Sequence, residues 1–519
     1  MRLLLICPKF RPSFWNFQLI SREILPWTRY TNPPLGLASI AALTPPHWQV
    51  TIVDENVEEI DWDFPADVVG VSGMSNQFQR QSTILGRFRK RGCYVVAGGN
   101  HASLLPANYQ SLADTVIAGE AEHVWPRFCH DLEAGNPQPL YQETGNVDLT
   151  VSPTPRFDLL KLDRYLTPCL QFSRGCPFRC EFCDIIVIFG RRPRTKSLEQ
   201  VGAELDALRA KGVHNVFFVD DNLIGHKPRC KELLRFLIDY QKRHRHQFYF
   251  GTEASVNLAD DQELLELFRA ANFSWVFIGI ESPSQAALEE TLKFQNSRVD
   301  LLAAVRTIHR QGISVYAGFI VGFDADTPAV FESHYRFIQT SGISVPMAGL
   351  LIAINRTPLW DRLERDGRLR VADSLLDGAD NTGAMTNIEP LNMTYEQLVC
   401  GYSDLMRRLF TDEAIFERLA NKMRDLPEQP LVENFLPIRK QPGVVWRTLR
   451  HVIAPGGWRR WTYFLRSLWW SKGRQARFSA ILDHWVKSIA LQEFARMNFG
   501  TPRSSPQPLE SRPRVSAER

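Results

Sequence analysis

Cys176-Pro-Phe-Arg-Cys180-Glu-Phe-Cys183 is the segment from which the architecture of this chain can be worked out. It directly follows a short, largely apolar run over residues 170–172 that predicts a strand. Three thiolates in one loop can hold three irons of a [4Fe–4S] cube and leave the fourth iron without a protein ligand, whereas electron-transfer clusters usually close all four positions with cysteine. The spacing therefore predicts an open iron that binds a substrate or cofactor, with Cys176, Cys180 and Cys183 as metal ligands of a catalytic centre.

The remaining cysteines do not suggest a second metal site. Zinc is the alternative metal for the triplet. However, zinc normally takes a fourth protein ligand at paired spacing, and no second Cys or His pair lies nearby in the sequence. Single, scattered thiols are typical of a reducing compartment, so we expect a cytoplasmic protein. Six of the nine cysteines are scattered in this way: Cys7, Cys93, Cys129, Cys169, Cys230 and Cys400.

Length and composition predict about three domains. A chain of 519 residues with 44% hydrophobic content can build several cores, while a net charge of +4 says little about partners. The apolar run at residues 3–6 is too short for a signal peptide and predicts a first strand. No stretch of 18 apolar residues occurs, so we expect no membrane span.

Residues 1–140 alternate β-branched runs with helical patterns, which predicts an α/β, Rossmann-like domain. Strands are predicted at 3–6, 49–53, 68–71, 94–97 and 115–118. Ligands of such sheets bind outside the carboxyl ends of the strands. The residues that follow three of these strands are candidate cofactor contacts: Ser72, Gly73, Met74, Gly98, Gly99, His101, Gly119 and Glu120.

The residues of that edge allow two other interpretations. Each glycine on its own is better explained by a tight turn between strand and helix, and only their recurrence after successive strands favours a cofactor. The first strand is followed by Cys7-Pro-Lys-Phe-Arg-Pro12, without the G-x-G-x-x-G pattern. A nicotinamide or flavin dinucleotide is therefore not expected.

A second alternation, over about 160–385, follows a predicted linker at 136–155. Strands are predicted at 170–173, 215–219, 248–253, 274–279, 314–319 and 347–352, with helices at 197–211, 229–244, 262–271, 299–311 and 329–341. Six strands with intervening helices predict a partial (β/α)6 TIM-type barrel, whose active site lies at the carboxyl ends of its strands. The cysteine loop follows the first of these strands and so belongs to that face.

The last part of the chain, 390–500, predicts a helical domain, followed by a disordered tail at 501–519. Residues 441–480 contain eight Lys or Arg and no Asp or Glu, and six of the 13 tryptophans lie between Trp446 and Trp485. Tryptophan beside arginine suits a membrane interface, but an amphipathic helical lid packed on the barrel explains the pattern equally well. Nucleic-acid binding is not expected, because no recognised fold accompanies the basic patch.

The cysteine spacing resembles that of the radical S-adenosylmethionine (SAM) superfamily, and Cys176, Cys180, Phe182 and Cys183 carry the resemblance. It implies that the open iron chelates SAM and that one electron cleaves SAM to a 5′-deoxyadenosyl radical. It also implies SAM contacts from Phe182, Asp220, Asp221, Glu253 and Glu281 at the barrel mouth, although each acid taken individually could be a helix N-cap or a satisfied barrel-mouth carboxylate. The basic run 191–196 could balance an anionic cluster, but a solvated loop is favoured.

The upstream domain resembles the cobalamin-binding domain of cobalamin-dependent (class B) radical SAM enzymes. Tyr30-Thr-Asn-Pro-Pro-Leu-Gly-Leu37 and Gly98-Gly-Asn-His101 carry this resemblance. The resemblance implies that the residues listed above for the edge of this sheet, from Ser72 to Glu120, contact cobalamin. The D-x-H-x-x-G sequence of many cobalamin domains is missing after the first strand, so a lower histidine ligand is not expected. His101 is expected to contact the loop or the cofactor tail, not cobalt.

The whole chain is most similar to the branch that contains the hopanoid C-2 methylases, through Cys183-Asp-Ile185, Val219-Asp-Asp-Asn-Leu-Ile-Gly225 and Thr357-Pro-Leu-Trp-Asp-Arg-Leu363. The resemblance implies methylation of an unactivated carbon of a small molecule, a hopanoid-like lipid among the candidates. One SAM would methylate cobalamin, and a second would supply the radical. Oxidative cyclisation or rearrangement without methyl transfer, and a non-catalytic iron–sulfur or cobalamin sensor, stay open as alternatives.

The expected cofactors are thus a [4Fe–4S] cluster, S-adenosyl-L-methionine and cobalamin. The expected partners are a small-molecule substrate and an external electron donor of the flavodoxin or ferredoxin type. Contact with the inner face of the membrane through the Trp/Arg-rich region is a further expectation. The substrate, the modified atom and the oligomeric state do not follow from the sequence.

Overall fold

The computed structural model describes residues 1–370, 383–431 and 442–499. Three groups of elements follow one another along the chain: a six-stranded sheet with helices, a second six-stranded sheet with helices, and a helical region. The predicted tail at 501–519 lies outside the described residues.

The first sheet has the strand order β2-β1-β3-β4-β5-β6, with every neighbouring pair parallel. Its strands are β1 Arg2–Cys7, β2 Gln49–Asp54, β3 Val68–Ser72, β4 Tyr94–Gly98, β5 Thr115–Ala118 and β6 Leu140–Gln142. The accompanying helices are α1 Leu35–Leu43, α2 Phe78–Lys90, α3 Asn100–Leu104 and α4 Ala121–Glu133. Alternate residues of β1 enter two different hydrophobic cores, one on each face of the sheet. Burial on both faces requires near-continuous apolar strands, and the predicted Rossmann-like arrangement is confirmed.

The strand β6 corrects one sequence prediction. It lies inside the segment 136–155 that was predicted to be a linker, yet it pairs in parallel with β5. Only Tyr141 of its three residues is buried. One buried side chain between two exposed ones gives too weak an apolar signal to reveal a strand, so the linker prediction is wrong at this point.

The second sheet has the order β14-β13-β12-β11-β10-β7 and is also parallel throughout. Its strands are β7 Cys169–Leu170, β10 Asn215–Phe218, β11 Tyr249–Glu253, β12 Phe273–Glu281, β13 Ser314–Val321 and β14 Val345–Leu350. The helices of this region are α5 Ile185–Ile188, α6 Leu198–Ala210, α7 Lys227–His244, α8 Gln262–Ala270, α9 Gln285–Glu290, α10 Phe294–Ser297, α11 Leu301–Arg310, α12 Val330–Ser341 and α13 Pro358–Arg365. This alternation confirms the predicted partial (β/α)6 barrel.

The strand predicted at 170–173 is divided in two. Its first part is β7, and its second part becomes β8 Ser173–Arg174, which pairs antiparallel with β9 Arg194–Thr195. The backbone N–H groups of Phe172 and Ser173 donate to the carboxylate of Asp220. Because these donors are taken, the ladder cannot continue, and the β8–β9 pair instead joins the two ends of the cysteine loop.

The helical region consists of α14 Tyr395–Leu409, α15 Asp412–Asp425, α16 Pro442–Thr448, α17 Gly457–Leu468 and α18 Gln475–Phe499. It packs against the second sheet through buried polar groups as well as apolar ones. Lys422 Nζ lies 2.8 Å from Ser344 Oγ, and His484 Nδ1 lies 3.1 Å from the same oxygen. Within the three described ranges no helix combines the length and apolarity that crossing a membrane requires.

Candidate functional site

A cavity of about 730 Å³ lies where the carboxyl ends of the two sheets face each other. The first sheet contributes Ser72, Gly73 and Gly99, and the second contributes Glu253 and Ile320. The loop of the cysteine triplet reaches the same cavity. Its lining residues from that loop are Phe182 and Asp184. Ligands held on the two sheets would therefore meet in one space.

Two backbone hydrogen bonds hold the start of the cysteine loop. Gly175 adopts φ +92° and donates its N–H to Asp221 Oδ2 at 2.8 Å. The N–H of Cys176 donates to the carbonyl of Gly190 at 3.3 Å, which closes the loop on itself. A left-handed backbone is sterically easy only for glycine, so Gly175 is needed where the chain turns into the triplet.

The three thiols can serve as donors for an iron–sulfur cluster. Amide groups approach two of them, with Asn222 Nδ2 at 4.0 Å from Cys176 Sγ and Gln295 Nε2 at 3.6 Å from Cys180 Sγ. In the described part of the chain no set of three or more His, Cys, Asp or Glu side chains is arranged around a single metal ion. Thiolates of one cube bind different irons and need not converge on one ion, so the donor set fits a cluster.

Two of the acids that were expected to contact SAM, Asp220 and Asp221, accept hydrogen bonds from backbone N–H groups instead. Asp220 accepts from Phe172 N at 3.0 Å and from Ser173 Oγ at 2.6 Å, and Asp221 accepts from Gly175 N. Burial raises the pKa of Asp220 to about 7 and that of Asp221 to about 6. These two acids shape the loop that carries the cysteines.

The other two predicted acids, Glu253 and Glu281, differ in what they contact. Glu281 is buried, has φ +62° and forms an ion pair with the buried ammonium of Lys293. Glu253 lines the cavity, and its side-chain carboxyl has no hydrogen-bond or ion-pair partner among the described residues. Burial, with the charges of Asp221 and Asp220, raises the pKa of Glu253 to about 8. Of the four, Glu253 is the acid with oxygens free for a ligand.

Glycine is required at two positions of the first sheet's edge, both by the positive φ of a turn and by the close approach of another backbone segment. Gly99 has φ +97°, and a Cβ there would lie 2.5 Å from the carbonyl oxygen of Gly73. Gly119 has φ +83°, and a Cβ there would lie 2.8 Å from the carbonyl oxygen of Glu143. Tight turns therefore account for these two positions, and the same turns leave backbone exposed to the cavities. Met74 is half exposed beside them and lines the larger cavity.

His101 lies behind this edge. Its Nδ1 is 2.8 Å from the hydroxyl of Tyr109, and its ring packs on Phe78 at 4.4 Å. Burial lowers its pKa to about 4, so the imidazole is neutral at physiological pH. The side chain supports the loop from the rear, as a loop contact would.

A second cavity, of about 290 Å³, lies under the first sheet's edge and reaches the cysteine loop. Gly98, Gly119 and Glu120 line it together with Arg174 of β8. Glu120 is buried and accepts from Arg174 Nη1 at 2.9 Å and from Arg194 Nη1 at 2.8 Å. An ion pair thus links the edge of the first sheet to the strand that leads into the cysteines.

Sequence reasoning missed several residues of this site. The favoured interpretation of 191–196 as a solvated loop is wrong for Arg194 and Lys196, which pair with Glu120 and Glu204. Lys293 was not singled out, because its partner lies 12 positions earlier on a different element. Lys293 stands three residues after Glu289-Glu290, and nothing in the sequence distinguishes it from a solvated lysine.

Comparison with known proteins agrees with this geometry. Family models match for the radical SAM superfamily over residues 170–338, a B12 binding domain over 28–128, and a domain of unknown function over 357–498. The chain is 42% identical to an uncharacterized methyltransferase of Synechocystis sp., over 71% of this chain and 69% of the relative. It is 36% identical to the hopanoid C-2 methylase of Rhodopseudomonas palustris, over 80% and 78% of the two chains.

A solved structure shares the fold. The radical S-adenosylmethionine methyltransferase TsrM of Kitasatospora setae, with cobalamin and a [4Fe–4S] cluster bound, superposes with a TM-score of 0.59 at 16% identity. The match covers 96% of this chain and 99% of that one. At this identity the likeness shows the fold alone.

The chain therefore belongs to the cobalamin-dependent radical SAM methyltransferases. Within that family it falls in the branch that contains the hopanoid C-2 methylase. Its cofactors are a [4Fe–4S] cluster, SAM and cobalamin, and the reaction it supports is methylation of an unactivated carbon. The two relatives are named for methyl transfer or methylation, and they support neither the cyclisation or rearrangement alternative nor the sensor alternative.

Proposed function

We propose that the protein methylates a polycyclic lipid of the hopanoid type in the cavity between the two sheets. The observation that carries this proposal is the apolar wall opposite the first sheet. It is built from Ile320, Leu350, Leu351, Ile352 and Ile354. A hydrocarbon skeleton presents no polar handle at the carbon to be methylated, so burial against such a wall is the interaction that can hold it.

We assign the cofactors to residues as follows. Cys176, Cys180 and Cys183 hold the cluster, Phe182 lines the SAM position, and Glu253 binds the SAM amino or ribose groups. Asp220, Asp221 and Glu281 act as positioning residues through the backbone and Lys293. The cobalamin lies on the edge formed by Ser72, Gly73, Met74, Gly98, Gly99 and Gly119, with Glu120 and His101 supporting that edge from inside.

When bound, SAM at the cluster supplies a 5′-deoxyadenosyl radical, and cobalamin supplies the methyl group. The protein's own part is to hold these groups and the substrate in one enclosed space and to exclude water. The aromatic rings of Phe10 and Trp15 also line the cavity. An external one-electron carrier of the flavodoxin or ferredoxin type completes the system.

Contact with the membrane is the second part of the proposal. The exposed positions Trp458, Thr462, Leu465 and Trp469 follow one another at spacings of four, three and four residues, so they form one stripe on α17 and its end. We call it the tryptophan stripe. Trp458 is 82% exposed and Trp469 is 88% exposed, so neither packs on the barrel, whereas Trp485 is buried.

Cations flank this stripe. Arg466 and Lys472 are exposed and have no ion-pair partner among the described residues. Indole rings at headgroup level and cations facing anionic lipid are the features of a peripheral membrane contact. We propose that the stripe rests on the inner face of the membrane, where a lipid substrate is found.

The methylation proposal is tested with anaerobically reconstituted protein, SAM, a chemical reductant and a polycyclic triterpenoid hydrocarbon. We expect S-adenosylhomocysteine, 5′-deoxyadenosine and a lipid product heavier by one CH2, all measured by mass spectrometry. Cys180→Ala should abolish 5′-deoxyadenosine, while Cys400→Ala, an exposed cysteine on α14, should leave it unchanged. Formation of 5′-deoxyadenosine without any heavier lipid would refute the substrate class and leave the radical chemistry standing.

The membrane proposal is tested by flotation with vesicles of equal parts phosphatidylglycerol and phosphatidylcholine. The double variant Trp458→Ala, Trp469→Ala should bind at least about 10-fold more weakly, since burying one such side chain contributes about 1.5–3 kcal/mol. The control is Leu140→Ala with Val151→Ala, two apolar residues exposed elsewhere on the chain. Equal vesicle binding by the tryptophan variant and the control would contradict a contact through the stripe.

A further inference from the structure

The surface over the cysteine triplet carries positive charge only. Three residues of the segment 175–192 are exposed, and all three are arginines: Arg179, Arg191 and Arg192. Arg179 stands between Cys176 and Cys180 in the chain, and Arg191 Nη2 lies 3.4 Å from the carbonyl oxygen of Pro177. The arginines are therefore attached to the loop that holds the cluster.

A neighbouring segment adds apolar side chains to the same surface. Gln295 contacts the Cys180 thiol, and the N–H of Glu181 donates to the carbonyl of Thr291 at 3.2 Å. These contacts hold the segment 291–298 against the cysteine loop. Leu292 is 40% exposed and Phe294 is 43% exposed on it. Large apolar residues are thus left in solvent next to Cys180.

A fourth cation extends this patch. Arg298 is exposed, and its guanidinium lies 5.8 Å from the centre of the Phe294 ring. We call Arg179, Arg191, Arg192 and Arg298, together with Leu292 and Phe294, the arginine surface. Exposed aromatic side chains and arginines are enriched at protein–protein interfaces.

The charges of the arginine surface are not neutralised within the chain. No described carboxylate lies within ion-pair distance of its four arginines. The acid inside the cysteine loop, Glu181, is buried and paired with Arg362 at 2.7 Å. The nearest exposed acids on the flanking segment have local partners: Glu289 accepts from Gln285, and Asp300 caps α11. Four free cations therefore face solvent over the triplet.

We propose that the arginine surface docks a small acidic electron-carrier protein that reduces the cluster. The inference rests on the proposed function, because it takes the triplet to hold the cluster. Complementary charge would steer an acidic carrier to this surface and orient its redox group towards Cys180. One electron passes from the reduced carrier to the oxidised cluster; the carrier is oxidised by one electron, and no bond is formed or broken.

The test uses reconstituted holoenzyme and reduced flavodoxin as the probe. Two quantities are measured: the dissociation constant of the complex at low and high salt, and the rate at which the cluster absorbance bleaches on mixing. Arg179→Glu with Arg192→Glu should weaken binding and slow bleaching, each by at least about 10-fold at low salt, because attraction across the interface becomes repulsion. Arg191 is left in place because it contacts Pro177.

Controls separate this proposal from the one it rests on. Lys242→Glu with Arg243→Glu reverses two exposed charges at the carboxyl end of α7, which is the end remote from the triplet, and should behave as the parent protein. Iron content and reduction by dithionite should be unchanged in every variant. A parent protein that dithionite cannot reduce would point to failure of the cluster assignment instead.

Two outcomes would overturn the docking proposal. In one, the arginine variant binds flavodoxin and is reduced by it as fast as the parent protein. In the other, the variant keeps its flavodoxin kinetics but loses affinity for phosphatidylglycerol vesicles. The second result would assign the arginine surface to lipid.

Discussion

The first sheet ends at the shared cavity in glycine, serine and methionine, whereas the second sheet ends there in carboxylates. A Cβ on Gly99 would lie 2.5 Å from the Gly73 carbonyl oxygen, and a Cβ on Gly73 would lie 2.7 Å from Gln81 Oε1, so the backbone itself forms the wall. At the opposite edge, the carboxyl groups of Asp220, Asp221 and Glu253 stand at or just beyond the carboxyl ends of β10 and β11. One wall is shaped by the absence of side chains, and the other by where acids are placed.

The acids of the two edges are also used differently. Glu120, the acid of the first edge, is neutralised across the junction by Arg174 and Arg194. On the second edge, backbone N–H groups occupy Asp220 and Asp221, and Glu253 stays unpaired among the described residues. A bulky cofactor needs close fit along its length, while an ionic ligand such as SAM needs a free counter-charge. We therefore expect the first sheet to bind its cofactor through close fit of shape and the second sheet to bind SAM through an ionisable side chain.

The largest effect is expected from breaking the shape of the first edge with Gly99→Ala. The left-handed backbone costs a non-glycine residue about 1–3 kcal/mol, and the new Cβ would lie 2.5 Å from the Gly73 carbonyl, so both loops must move. We expect cobalamin affinity to fall about 100-fold, measured by absorbance titration of reconstituted protein. Iron content and SAM binding at the second edge should be unchanged.

Gly86→Ala is the matched control for that variant. Gly86 lies on α2 of the same domain, and a Cβ there meets nothing within 4 Å. It should bind cobalamin as the parent protein does. If Gly99→Ala also retained full affinity, the first edge would not be the cobalamin wall.

Most of the fold could be predicted from the sequence, because the strands of both sheets are apolar runs separated by turn residues. Ten of the predicted runs coincide with strands of the two sheets to within two residues, among them β3 and β10. The strand β7 is shorter than its apolar run, since Asp220, some 48 residues away, takes the N–H of Phe172. Local pattern cannot reveal a hydrogen bond of that range.

The sequence could predict which acids belong to the site, but not which role each acid has. The sequence places Asp220, Glu253 and Glu281 at strand ends, and in that respect they look equivalent. Their roles differ because Ser173 binds Asp220 and Lys293 binds Glu281, whereas the Glu253 carboxyl is left unpaired among the described residues. Ser173 and Lys293 lie on other elements than the acids. Tertiary packing decides which side chains from distant elements pair, so residue spacing in the sequence cannot predict these pairs.

The smaller effect is expected from removing charge at the second edge with Glu253→Gln. Glutamine keeps the size of the side chain but cannot ionise beside a bound cation, and a hydrogen bond to a charged group contributes about 1.5–3 kcal/mol. We expect SAM to bind about 10-fold more weakly by equilibrium dialysis, with cobalamin affinity unchanged. Glu289→Gln changes an exposed acid on α9 and serves as the control. Loss of cobalamin affinity together with SAM affinity would show that the two edges do not divide shape from charge, because one carboxylate would then serve both cofactors.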